Sequence, residues 1–293
     1  MLLALFFSFF SPSLITLSFL ILYFKVVKTS IHYKMYSISN VIAYSAAIFS
    51  IYLIYSLGDK GGLFYDFRYG FVETFGFANP NSWAKLIFIF SLVLSLLLNN
   101  KKLFIFLSLL LLCSLNVIHA RSFYIGIFFL FLIRILSEWR VNFLFKYTPL
   151  FLLSFLMVIV FFEPPFKQFL DILLSGRVLI SQYAIGEFSV NLLLLGNNAF
   201  DVDNFSYALD NSYAAIIASY GIFFSLGLMW LYYSAIKKCE DTGNYRLLAM
   251  LTVFSIYSFV ENSFVSFVFN PTFYYIVSGF YLRDSYKLET ELK

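Results

Sequence analysis

Arg68, Arg121 and Arg177 stand in segments otherwise dominated by aromatic and aliphatic side chains, and each has carboxylates or amides close by in sequence. A guanidinium is permanently charged, and its planar fork makes bidentate, charge-assisted hydrogen bonds to phosphate, so three of them facing one compartment point to anion binding. A lone arginine at a membrane interface also serves as a snorkelling anchor, and for Arg68 that plainer role stands beside the first. Glu261 lies in the nearly unbroken apolar run SFVENSFVSFVFNP, where burying a carboxylate costs a few kcal/mol and so signals a partner or a task. Asp210 opens a helix in DNSY, where capping the first turn is the alternative to chemistry. His119, next but one to Arg121 in HARS, is titratable and equally suited to a structural hydrogen bond. The pair Asp201 and Asp203 has the spacing of a divalent-cation ligand but sits in a solvated turn, and no Cys/His cluster accompanies it. No metal site and no cofactor are expected.

The elements that must position these residues are helices in lipid. Of 293 residues, 61% are hydrophobic, 22% aromatic and only 12% charged, with a mean hydropathy of +0.84. An average soluble domain carries about 25% charged residues. Crossing a ~30 Å hydrocarbon core takes about 20 helical residues, and apolar runs of roughly that length fall at 2–24, 37–57, 84–98, 103–118, 123–136, 147–162, 213–236, 247–260 and 267–282. The expected fold is an all-α polytopic membrane protein of about nine spans, since lipid excludes unpaired backbone. The first run lacks a basic lead and a cleavage site and reads as a retained helix kinked near Pro12.

Lys and Arg concentrate on the cytoplasmic side of membrane proteins. With the N-terminus outside and the C-terminus in the cytoplasm, fourteen of the twenty basic residues, among them Arg134, Lys146 and Lys237, fall inside. Ten of the sixteen acids, with Arg68, Arg121 and Arg177, then fall outside. This placement gives the net charge of +4 a topological meaning and removes nucleic acid as a partner. Cys113 in the fourth span and Cys239 in an inner loop are kept apart. There is no phosphate-binding glycine loop, GxSxG or EF-hand spacing.

Polar material collects in two outer loops, 58–83 and 163–212, of one transmembrane domain covering 1–293. The first is rich in glycine and aromatics, closes on Asn79-Pro80-Asn81, and reads either as a turn-rich connector or as a substrate contact. In the second, between the sixth and seventh spans, Lys167, Asp171, Ser175 and Gln182 recur at helical spacing opposite Phe166, Phe169, Leu170 and Leu173. That is the pattern of a helix lying in the membrane interface.

Five segments follow one another in a recognisable order: GFANPNSWAKLIFIF, HARSFYIGIFFLFL, LSGRVLISQYAI, DNSYAAIIASYGIFFSLGLMWL and VENSFVSFVFNPTFYYI. Together they resemble the Wzy-type O-antigen and capsular polysaccharide polymerases over about residues 70 to 280. Many members of that family have more spans, and HARS stands here where a Ser-Arg pair is more usual.

The resemblance implies a glycosyltransferase of the bacterial cytoplasmic membrane, acting at its outer face without metal. A hydroxyl of a lipid-linked acceptor would attack the anomeric carbon of a glycan on undecaprenyl pyrophosphate and expel the lipid pyrophosphate. That chemistry needs cations for the leaving group and a base within about 3 Å of the hydroxyl. Arg177 and Arg121 are the candidates for the first, Asp210 and Glu261 for the second, with Glu261 alternatively positioning an arginine. Arg68, Asn79, Asn81, His119, Asn211, Tyr213 and Asn270 are carried over as substrate contacts. The partners implied are the lipid-linked oligosaccharide and the bilayer, with room for a chain-length regulator. An O-antigen ligase and a flippase of lipid-linked sugars are the alternatives.

Overall fold

The structure, a computed structural model, describes residues 63–66, 70–73, 80–114, 120–138, 144–162, 164–174, 176–186, 188–197, 209–264, 270–272 and 276. The expected spans at 2–24 and 37–57, most of that at 267–282, and Pro12, Arg68, Asn79, His119, Asp201 and Asp203 lie outside the described residues. What is described is helical apart from one short hairpin. The chain divides into two compact units, Met1–Phe131 and Leu132–Lys293.

In the first unit, β1 (Leu63–Asp66) pairs antiparallel with β2 (Gly70–Glu73), with Leu63 opposite Glu73 and Asp66 opposite Gly70. The first outer loop, expected as a turn-rich connector, therefore contains a ladder. The run LFYDFRYGFVE is rich in the aromatic residues that favour strands. Helix α1 (Pro80–Leu97) starts at the proline of NPN, where a missing N–H is harmless because the first turn has no acceptor for it. A tight turn leads to α2 (Asn100–Ser114), in which the Asn99 side chain accepts the Lys102 N–H at 3.0 Å. Phe88 and Leu92 on α1 and Leu103, Leu107 and Leu110 on α2 recur at i+3 and i+4 and are buried. Helix α3 (Arg121–Glu138) begins in this unit with Phe123, Ile127 and Leu130 buried in the same rhythm. Its Arg134, counted by the sequence among the inner loop residues, lies inside the helix and is buried.

The second unit is built on three packed helices: α4 (Thr148–Phe162), preceded by a 3-10 turn at Phe145–Tyr147, α8 (Ser212–Asp241) and α9 (Tyr245–Val260). Between α4 and α8 come the short helices α5 (Lys167–Leu173), α6 (Arg177–Ile185) and α7 (Val190–Leu195). The single interfacial helix expected across 166–182 is thus two. Gly176 takes a left-handed φ of 83°, which ends the first helical path and starts the second.

Phe145–Phe162 and Ser212–Asp241 are long and apolar enough to cross a bilayer. The second is not a straight rod. A straight helix would set Tyr213 and Tyr232 ~28 Å apart, yet the Phe264 ring lies 5.3 Å from the ring of Tyr213 and 4.9 Å from that of Tyr232. Both tyrosines also meet one turn of α9: Tyr213 Oη donates to Ser255 O at 3.1 Å, and Tyr232 stacks on Phe254. The helix folds back at Gly221, whose φ of 80° and ψ of 174° belong to a region open essentially to glycine. One arm is the short stretch 212–220. The other, 222–241, is ~30 Å long, the thickness of a hydrocarbon core.

The end of α7 fills the notch. Asn197 N–H donates to Ala218 O at 2.9 Å, and Gly196 meets Gly221 backbone to backbone, so a Cβ on Gly221 would stand 2.3 Å from Leu194 O. Helix α8 also continues past the expected end at residue 236, because Lys237, Lys238 and Glu240 are good helix formers. Cys239, expected in a loop, is therefore helical and buried.

These backbones predict a graded series in thermal unfolding of the detergent-purified protein. Gly227→Ala, helical and without neighbours within 4 Å, is neutral or stabilising by up to ~1 kcal/mol. Gly176→Ala carries only left-handed strain of about 1–2 kcal/mol. Gly221→Ala and Gly196→Ala add a backbone collision to such strain and are the most destabilising of the four.

Candidate functional site

Helix α6 begins with Arg177, α8 is preceded by Asp210, and α9 is followed by Glu261. All three side chains converge within the second unit. Arg177 Nη2 donates to Asp210 Oδ2 and to Glu261 Oε1, each at 3.2 Å, across 33 and 84 positions of sequence. Its Nη1 donates to Leu174 O at 3.1 Å, in the turn that Gly176 makes. The Arg177 and Glu261 side chains are 12% and 1% exposed and that of Asp210 29%, so the cluster is sealed on the Glu261 side and reaches solvent on the Asp210 side.

Each local choice in sequence serves this meeting. Asn211, not Asp210, caps α8, accepting the N–H groups of Tyr213 at 2.9 Å and Ala214 at 3.2 Å through Oδ1. The alternative weighed for Asp210 is thereby filled by its neighbour, and the aspartate turns to the arginine. Helix α9 stops at Val260, and Glu261 is extended at φ −142° and ψ 141°, which swings its carboxylate out of the helical path. Arg177 Nε is buried and lacks a hydrogen-bond partner among the described residues.

One guanidinium meets two carboxylates. Arg177 is thus held by carboxylates here, rather than standing as an open anion receptor.

The other expected contacts are distributed. Tyr213 is buried against Phe259 and Phe264 and spends its hydroxyl on Ser255 O, a packing role. Asn270 joins a buried polar knot: its Nδ2 donates to Phe264 O at 2.9 Å, its Oδ1 accepts from Tyr232 Oη at 3.2 Å and from Thr272 Oγ1, and Tyr232 Oη also bonds Thr272 Oγ1. Asn81 lies in the first turn of α1, half-buried, and Arg121 starts α3 on an exposed position, both in the first unit. Tyr232, Thr272 and Ser212 carry no charge that marks them in the sequence. The last two sit inside motifs already singled out, FNPT and DNSY, and small hydroxyls beside a motif residue were the available signal. Among the described residues no group of acidic, His and Cys side chains is arranged to hold a metal ion.

Comparison with protein-family models, curated proteins and solved structures finds no match.

Removing one partner of a buried ion pair leaves an uncompensated charge and costs about 3–5 kcal/mol. Arg177→Ala is therefore expected to destabilise the protein strongly in thermal unfolding. Adding Glu261→Gln restores much of the loss, and adding Asp210→Asn restores less, because Asp210 retains more water. Equal rescue by both, or by neither, contradicts the geometry.

Proposed function

We propose that the chain is a polysaccharide repeat-unit polymerase of the bacterial cytoplasmic membrane. It moves a glycan from undecaprenyl pyrophosphate to a lipid-linked acceptor at the outer face. The observation that carries the reading is the meeting of Arg177, Asp210 and Glu261. They come from LSGRVL, DNSY and VENSF, three segments that resemble the polymerases in the same order, and ionisable groups are kept within apolar helices where they have a task.

The membrane setting is supported by what the second unit leaves exposed. Phe151, Val158, Phe223, Phe224 and Trp230 on α4 and α8 present apolar surface of the kind that hydrocarbon covers. Buried hydroxyls instead bond back into their own helices, as Thr252 does to Leu248 O and Ser255 to Leu251 O, each at 2.9 Å. Lys146 Nζ lies 3.0 Å from Glu240 Oε2, in keeping with a topology that puts both residues in one compartment.

In the proposed reaction the donor diphosphate competes for Arg177 and displaces Asp210. The freed carboxylate takes the proton of the acceptor hydroxyl while its oxygen forms the new bond to the anomeric carbon. The bond from that carbon to the pyrophosphate oxygen breaks, and the electron pair leaves with the lipid pyrophosphate, whose charge Arg177 stabilises. Glu261 keeps the guanidinium in register, and Arg121, in the first unit, stays a candidate cation on the resemblance alone. Arg68, Asn79, Asn81, His119 and Asn211 stay candidate substrate contacts, and Asn270 a support of the Glu261 segment.

Deletion of the gene in its host, followed by electrophoresis of surface glycan, tests the reading. A single repeat unit in place of a ladder is the expected result. Glycan lost from the surface, with lipid-linked precursor accumulating inside, indicates a flippase instead; free polymer without its anchor indicates a ligase. In complementation, Arg177→Lys and Asp210→Asn are expected to insert normally and leave the single-unit phenotype, since one ammonium cannot reproduce the fork and an amide cannot take the proton. A full ladder from Asp210→Asn removes that residue as the base.

A further inference from the structure

The hydroxyl of Ser212 links the segment that carries Asp210 to the peptide of Glu261 itself. Its Oγ donates to Glu261 O at 2.7 Å and accepts the N–H groups of Ser263 at 2.6 Å and Phe264 at 3.2 Å. A serine hydroxyl has one hydrogen to give and two lone pairs to fill, so all three capacities are spent. Ser212, Glu261 and Ser263 are fully buried, which leaves no water to take over these bonds.

The position is specific. A helix end leaves backbone groups unpaired, and here the chain leaving α9 finds its partner in a side chain from the opening turn of another helix. Ser212 follows Asp210 by two residues, with the capping Asn211 between them. The α8 arm that it starts is fixed at its far end by the contact of Gly221 with Gly196. Asp210 and Glu261 reach one nitrogen of Arg177 only while their two backbones keep this separation.

We infer that Ser212 is a positioning residue. It sets the distance between the two carboxylates and so holds Glu261 against Arg177 in the geometry the transfer uses. The functional part of this inference rests on the polymerase reading; the geometric part does not. A displacement of about 1 Å away from the reacting atoms can lower turnover about 100-fold, so loss of this hydroxyl acts on rate rather than on donor affinity.

The experiment compares Ser212→Ala and Ser212→Thr with the unaltered full-length protein in lipid nanodiscs. Chain elongation from a lipid-linked repeat unit is measured per folded molecule. The expectation is a fall in kcat of about 10- to 100-fold for Ser212→Ala with KM within about twofold, and near-normal turnover for Ser212→Thr, which keeps the hydroxyl. In a Glu261→Gln background, Ser212→Ala adds no further loss. If Ser212→Ala does not fold, Ser212→Cys takes its place, because a thiol of similar shape bonds weakly. Activity that falls only in proportion to the folded amount, at unchanged kcat, overturns the inference, as does full additivity with Glu261→Gln.

A second reading is independent of activity. Infrared difference spectra between proteins with and without Glu261→Gln isolate the carboxylate band of Glu261. That band is expected to shift in Ser212→Ala and to return in Ser212→Thr. If the unaltered protein elongates nothing, the polymerase reading fails, and the infrared band alone decides: a shift sustains the positioning role and an unmoved band ends it.

Discussion

A guanidinium bound between two carboxylates is the constraint that organises the second unit. Arg177 has one nitrogen shared by Asp210 and Glu261, and each of those residues reaches it only because a helix begins or ends where it does. Such a cluster is poor value as a source of stability. Desolvating charges costs several kcal/mol per ion, and replacing a buried ion pair by apolar side chains is often neutral or stabilising. The proposed polymerase reading would give it a task, with a carboxylate that a diphosphate displaces beside a fixed cation.

The neighbouring features act as supports of that arrangement. Gly176 turns the chain so that Arg177 starts α6 and can also bond Leu174 O. Asn211 takes the capping duty at α8. The break at Gly221 folds α8 back, so Tyr213 and Tyr232 both pack on Phe264 and brace the segment that follows Glu261. The knot of Asn270, Tyr232 and Thr272 holds that segment through Phe264 O. Several polar groups are thus paired with one another within a largely apolar interior, while other large apolar side chains, Phe151, Phe223 and Trp230 among them, stand exposed.

Much of this was legible in sequence because it depends on polarity. Helices at 84–98, 123–136 and 247–260 were readable from apolar run length, and the cluster residues from charge isolated in apolar context. What escaped depends on backbone geometry or tertiary contact. The hairpin at 63–73 is too short to give a period that stands out among aromatics. The break at Gly221 looks like an ordinary glycine in IASYGIFF until Gly196 packs on it. Ser212 carries no charge, and its importance arises only when the chain after Glu261 comes to it. The division of labour between Asp210 and Asn211 could not be read from two adjacent residues that both cap helices well.

The side chain of Arg177 is expected to lie between Asp210 and Glu261 while the protein is in a bilayer. An electron cryo-microscopy map of the full chain in lipid nanodiscs measures this directly. The prediction is density joining the guanidinium to both carboxylates at hydrogen-bond distance, with Glu261 enclosed and Asp210 at the outer edge. A guanidinium turned instead toward lipid headgroups, with Glu261 paired elsewhere, contradicts it.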